Sequence, residues 1–263
     1  MRIIDVHTHV WPDAVAEKAL AHLKHAANDF TAYYDGTITG LLADMDRTGV
    51  EVSVIQPVAT KPTQVASIND WAASVGSARI VGFGAMHPDF ENAPAEIARM
   101  AKLGLTGLKL HPEHQAFAPD EPRMTPIYEA ALAHNMTVFF HAGADEVHST
   151  VRGTPESFAH VLEGFPGLRV VLAHLGGYRV WNHVAEVLVG RDVYLDTAYT
   201  LGHLADADFV EIVHAHGPER VLFGSDGPWT DAAAEIAWLR RLPLREGVVD
   251  AILGENAARL LVE

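Results

Sequence analysis

The sequence predicts an α/β fold: a closed (β/α)₈ barrel of the TIM type, forming one domain over residues 1–263. Three observations predict it. Short apolar runs alternate with longer amphipathic ones along the whole chain, which is the rhythm of repeated strand–helix units. Several of the short runs are apolar almost throughout, as in VSVIQ, VFF and VVLA, and strands buried on both faces read this way. The length, 263 residues, matches the roughly 250 residues of a typical eight-unit barrel.

In chain order the strand runs are Arg2–Val6, Glu51–Gln56, Ile80–Ala85, Leu105–Leu110, Thr137–Phe140, Arg169–Ala173, Val193–Asp196 and Arg220–Gly224. Helical stretches fall between them. Ala14–Ala27 and Leu41–Arg47 follow the first run, then Gln64–Val75, Pro94–Lys102, Pro126–His134, Pro155–Glu163, Val180–Val189 and Ala205–Ala215. Thr230–Arg240 follows the eighth run, and Ala251–Leu261 closes the chain. Prolines at or near several helix starts, with Gly104, Gly164 and Gly190 near helix ends, are the expected punctuation. No Gly- or Ser-rich linker and no low-complexity tract interrupts the series, so the expectation is a single domain.

Apolar residues make up 49% of the chain, enough for a substantial core. Lysine and arginine number 19 against 34 aspartates and glutamates, a formal charge of −15. Such a surface repels phosphate backbones and anionic lipid, so the expected partner is a small-molecule substrate, with no nucleic acid and no membrane. There is no cysteine, which excludes disulfides, iron–sulfur clusters and thiol catalysis. The run Met1 to His7 lacks the marks of a signal peptide, and no apolar run approaches the ~20 residues of a membrane helix. A cytoplasmic location is therefore the expectation. Nothing in the sequence decides between a monomer and a homodimer.

Four strand runs end on residues able to bind a metal: Asp5-Val6-His7-Thr8-His9, Phe140-His141-Ala142-Gly143, Ala173-His174-Leu175-Gly176 and Gly224-Ser225-Asp226-Gly227. Residues two apart on a strand point to the same side, so His7 and His9 face one space. The C-terminal ends of barrel strands surround one mouth, so His141, His174 and Asp226 converge there too. Imidazoles plus a carboxylate, with a position left for water, make a catalytic zinc-type site. A metal there lowers the pKa of its water to about 7 and polarises a substrate oxygen. The plain alternative, a hydrogen-bonded core histidine, accounts for one such residue and poorly for four strand ends together. The spacing alone leaves His174 open as ligand or as base.

These segments resemble the amidohydrolase superfamily, and within it the amidohydrolase 2 branch that includes enzymes of the aminocarboxymuconate-semialdehyde decarboxylase type. The resemblance rests on IDVHTHVWPD, GLKLHP, FFHAG, LAHLGG, FGSDGPW and GENAARLL, which run in order from Ile4 to Leu261. It implies one divalent metal held by His7, His9, His141 and Asp226, with His174 as base or proton shuttle. Zinc is the first choice for such ligands, and manganese, iron(II) and nickel are alternatives. In binuclear relatives a fourth-strand lysine is carboxylated and bridges two metals. Lys109 lies near that place, and its plain reading is a buried lysine paired with a carboxylate. His111, two residues on, is a candidate substrate-binding residue or helix cap. Trp11 and Trp229 are candidate pocket walls. Asp196 is a candidate hydrogen-bond partner for a metal-bound imidazole. His114 and His148 fall in loops on the same face, where specificity resides.

The leading expectation is a hydrolase of an amide, ester or lactone, with His174 and Asp226 managing the protons. The alternative is a non-oxidative decarboxylase of a small unsaturated or aromatic acid, which would share every metal ligand. It should also place an arginine in the mouth to clamp the carboxylate, for which Arg47, Arg152 and Arg179 are the nearest by sequence. A metal-binding barrel without turnover is a third reading, and a spare base at His174 argues against it.

Overall fold

The computed structural model describes residues 2–26 and 31–262. Its strands are β1 (Ile4–Thr8), β2 (Val52–Ile55), β3 (Ile80–Gly82), β4 (Gly84–Ala85), β5 (Gly107–Leu110), β6 (Thr137–Phe140), β7 (Val170–Leu172), β8 (Tyr194–Asp196) and β9 (Val221–Leu222). Every paired neighbour is parallel, in the orders β1-β2-β3 and β4-β5-β6-β7-β8-β9. Backbone hydrogen bonds carry the circle from its last strand to its first: Val6 N–H donates to Phe223 O at 2.9 Å, and Asp226 N–H donates to His7 O at 2.8 Å.

Helices cover the outside in the predicted alternation. They are α1 (Asp13–Ala26), α2 (Ile38–Thr48), α3 (Val65–Ser74), α4 (Ala93–Lys102), α5 (Pro112–Gln115) and α6 (Thr125–Ala133). After these come α7 (Pro155–Gly164), α8 (Trp181–Val187), α9 (Asp206–His216), α10 (Ala232–Leu239), the turn α11 (Val248–Asp250) and α12 (Asn256–Val262). Ala27, counted above in the first helix, lies outside the described residues, as does Met1. No helix among the described residues is long and apolar enough to cross a membrane.

The core has two parts. An inner cluster including Val6, Val54, Phe83, Phe139, Val171 and Leu222 fills the barrel below its mouth. A larger cluster packs the outer strand faces against the helices. Burial of such side chains contributes about 25 cal/mol per Å² of apolar surface, so the barrel is a solid scaffold, with polar groups gathered at one end.

Three details depart from the sequence reading. The third run is two strands, broken at Phe83. There the Asn69 side chain takes the Ala85 N–H at 2.7 Å, where a neighbouring strand would otherwise accept it. In β1 the step from Asp5 to Thr8 faces only Ser53 to Ile55 on β2, which is a β-bulge. The bulge explains how the adjacent residues Val6 and His7 both turn to the barrel interior: Val6 belongs to the inner cluster, and His7 touches the Phe139 ring at 5.1 Å between centroids. Without a bulge, neighbours on a strand point to opposite faces. The closing helix is also interrupted, by a π-helical turn over Ala251–Glu255. Its Ile252 carbonyl is turned out of the helix to accept Phe223 N–H at 2.9 Å, which ends β9 early.

Candidate metal centre and pocket

Each histidine at the barrel mouth has one ring nitrogen spoken for. His9 Nδ1 lies 3.0 Å from Gln56 O, His141 Nε2 lies 2.8 Å from Ala144 O, and His174 Nδ1 lies 3.0 Å from Ala198 O. A backbone carbonyl only accepts, so these nitrogens carry the protons. His7 Nδ1 points at Asp196 Oδ2, 2.8 Å away. Asp196 is held in turn by the backbone N–H groups of His174 and Ala198 at 2.8 and 3.0 Å.

The consequence is that every opposite nitrogen turns a lone pair inward. His9 Nε2 stands 3.0 Å and His7 Nε2 3.4 Å from Asp226 Oδ1. His141 Nδ1 and His174 Nε2 stand 3.1 Å apart. Lone pairs facing a carboxylate oxygen or each other at such distances repel unless a proton or a metal cation lies between them. The donor set thus fits a divalent cation, with the outer hydrogen bonds fixing each imidazole tautomer as metal sites do.

His7, His9 and Asp226 offer ligand atoms that all lie within 4.8 Å of one another. His141 sits one ring further out, between His174 and His111; their ring centroids lie 4.8 and 4.1 Å from its own. Asp196 forms a second such trio with His7 and His174, in the supporting position anticipated for it.

Burial sets the electrostatics. It pushes His7 and His141 well below the usual imidazole range, with the nearby Lys109 adding to the effect on both. It raises Asp196 to about 6. Burial alone would raise Asp226 as well, but the adjacent His7 and His9 outweigh it and hold that carboxyl well below its usual range. Lys109 is lowered to about 8, again by burial.

The expected carboxylate partner of Lys109 is not found among the described residues. Its Nζ lies 3.3 Å from His7 Nε2 and 4.4 Å from the centre of the Phe139 ring. The alternation of β5 directs both Lys109 and His111 to the mouth, because Leu108 and Leu110 pack outward. His111 also begins α5, where its Nδ1 accepts the His114 N–H at 3.4 Å. Cap and pocket residue are therefore one and the same.

A cavity of about 360 Å³ opens over these groups. Trp11 and Trp229 wall it, packed edge to face at 6.3 Å, together with Trp71, Tyr178 and Tyr199. His22 of α1 also lines it; nothing in its helical setting had marked it for a role. None of the three candidate arginines does so. Arg47 pairs with Asp44 and Asp231, Arg179 pairs with Glu146, and Arg152 donates to Thr150. Two of them are thus neutralised by acidic neighbours, so the arginine clamp expected of a decarboxylase is not formed by these residues.

The turn after β7 reverses on residues other than glycine. The reversal begins at His174 itself, with φ 58°, and continues through Leu175 at 53° before reaching Gly176. Asp226 has φ 67°. Non-glycine residues in this left-handed region cluster at functional sites, where surrounding contacts hold them. The neighbouring Gly143 is required for a different reason: a Cβ there would lie 2.2 Å from Tyr178 N. Its φ is also 85°. Gly143→Ala is expected to destabilise the fold by roughly 2–4 kcal/mol, read by urea unfolding. A change under about 0.5 kcal/mol, the scatter of ordinary surface substitutions, would refute the close packing at this point.

The chain belongs to the amidohydrolase family, whose pattern it matches over residues 4–262. No match is found among curated proteins. Solved structures with the same fold include a TIM-barrel protein from Bordetella bronchiseptica, 20% identical, with a TM-score of 0.80 over 100% of this chain and 99% of that one. The 2,6-dihydroxybenzoate decarboxylase from Rhizobium is 15% identical, with a TM-score of 0.75 over 100% and 99% of the two chains. The 5-carboxyvanillate decarboxylase from Novosphingobium aromaticivorans, solved with manganese and a nitrobenzoic acid, is 14% identical with a TM-score of 0.72, covering 100% of this chain and 97% of its own. The chain is thus an enzyme of the amidohydrolase family on a TIM-barrel fold, with residues suited to a divalent metal.

Proposed function

We propose that this protein is a metal-dependent, non-oxidative decarboxylase of a small aromatic or unsaturated carboxylic acid. One observation carries the reading. The pocket combines aromatic walls with a single lysine at its floor, Lys109, the only Lys or Arg among its described lining residues. That lysine is 1% exposed. A flat anion is complementary to this arrangement: its ring meets the tryptophans, and its carboxylate meets an ammonium stripped of water, where the attraction is strengthened. Lys109 thereby fills the place expected for an arginine. The decarboxylases among proteins of similar fold favour this reading over the hydrolase, although both would use the same ligands.

His7, His9, His141 and Asp226 would hold the metal, which when bound supplies a Lewis acid for a substrate oxygen. The remaining chemistry belongs to the chain. The bond from the carboxyl carbon to the ring or vinyl carbon breaks, its electron pair stays on that carbon, and one proton replaces the departing carbon dioxide. His174 is placed to handle that proton at Nε2, because its Nδ1 is committed to Ala198 O. Asp226, with its carboxyl held well below the usual range, stays an acceptor. The tryptophan walls exclude water.

The metal-loaded protein should release one carbon dioxide per molecule of acid consumed when offered a panel of hydroxybenzoates and unsaturated diacids. Mass-spectrometric detection of labelled carbon dioxide reads this directly. Hydrolysis of lactones or amides, with no carbon dioxide from any acid, would overturn the proposal in favour of the hydrolase.

A further inference from the structure

A second cluster of metal-competent side chains lies at the rim of the pocket. His114 comes from α5, and Asp145 and His148 come from the loop that follows β6. These three offer ligand atoms within 4.8 Å of one another. The His114 and His148 rings meet edge to face with centroids 4.8 Å apart.

The two oxygens of Asp145 have different surroundings. Oδ1 is saturated: it accepts the backbone N–H groups of Val147 and His148 at 2.8 and 2.7 Å and contacts His148 Nδ1 at 2.7 Å. Oδ2 instead faces His111 Nε2 at 3.8 Å and His114 Nε2 at 4.0 Å. Both separations are too long for a hydrogen bond. They suit two ligands on one cation, whose own bonds run about 2.0–2.2 Å.

The two halves of this cluster are held in place by Glu113. Its Oε1 accepts the backbone N–H groups of Arg152 and Gly153 at 2.6 and 3.2 Å, tying α5 to the far end of the loop that carries Asp145 and His148. The cluster adjoins the principal centre: Asp145 also forms a trio with His111 and His141, whose ligand atoms all lie within 4.8 Å of one another. His111 lies between the two, stacked on His141 at 4.1 Å and 7° and against His114 at 4.1 Å.

We propose that His114, Asp145 and His148 form a second divalent-metal site at the mouth of the pocket, of the two-histidine, one-carboxylate type. Such a set takes first-row divalent cations and leaves coordination positions open. His114 and Asp145 line the cavity, so those positions face an arriving ligand. In a chain of net charge −15, a cation at this point would draw an anion towards the mouth. The site does not depend on which reaction the principal centre performs.

The test is a titration of chelator-treated protein with Co²⁺, followed by visible absorption and by metal content after gel filtration. The intact protein is expected to take two equivalents. His114→Ala and His148→Ala should each take one, and His9→Ala should keep the rim equivalent alone. The side chains of His114 and His148 are 21% and 33% exposed, so their removal spares the core, and circular dichroism checks the fold. Asp145→Asn provides a further variant of nearly unchanged shape. A protein that binds one equivalent, retained in full by all three rim variants, overturns the proposal. One equivalent lost in the rim variants and kept in His9→Ala would uphold the rim site and sink the principal centre instead. Failure to release carbon dioxide would leave these stoichiometries untouched, so the two readings fail separately.

Discussion

Replacing His174 with Asn should leave metal bound at the principal centre and lower turnover by roughly 10²–10⁴-fold, the usual worth of a general acid–base group. Asn is suited to the position on two counts. The residue sits at φ 58°, in the left-handed region that Asn tolerates better than most residues. Two of the surrounding bonds use its backbone: its N–H donates to Asp196 and its carbonyl accepts from Trp181 Nε1 at 2.9 Å. What the variant lacks is a nitrogen that can accept a proton and pass it on. Metal content and kcat, measured on one preparation, check the expectation. Metal lost in step with activity would make His174 a ligand and turn attention to Lys109 as a carboxylated bridge. A fully active, fully metallated variant would reduce His174 to a structural part.

His141→Ala is expected to remove the metal and, with it, all activity, while the barrel stays folded. The ring has its Nε2 proton fixed on Ala144 O, so Nδ1 is left to face the centre. Losing a group that merely orients a ligand typically weakens metal binding 10–100-fold, so losing the ligand itself should cost at least about 100-fold. β6 remains paired to β5 and β7 through its backbone, and that pairing should preserve the far-ultraviolet circular dichroism. Because His141 lies outside the close trio of His7, His9 and Asp226, this variant is also the sharper test of the four-ligand set. Full metal occupancy in it would reduce the set to that trio.

Much of this was legible in the sequence because it is written locally. Buried strands read as apolar runs whatever their partners, and a polar residue ending such a run in a barrel has one place to go. His7 and His9, His141, His174 and Asp226 were found that way, and so was the placing of Lys109 and His111 on one side of a strand. The rim cluster was legible only in part. His114 and His148 stand out as loop residues on the pocket face, but Asp145, in AGADEVH, carries no such mark, because an acidic residue in a loop is ordinarily solvated. The arginines were misjudged because nearness in sequence to a motif says nothing of acidic neighbours: Arg47 is neutralised by Asp231, 184 residues away.

The sequence by itself determined the alternation of strands and helices, the family, and the strand-end residues that reach the mouth. Each of these follows from side chains and their nearest neighbours along the chain. Only the tertiary structure decided which nitrogen of each imidazole faces inward. The partners that fix it are remote in sequence: Asp196 lies 189 residues from His7, and Gln56 lies 47 from His9. The β-bulge in β1, the break at Phe83 and the setting of the Lys109 ammonium against His7 and Phe139 are of the same kind. Each depends on what a closed barrel brings against a backbone or side chain from far away, and hydrophobic periodicity carries no record of that.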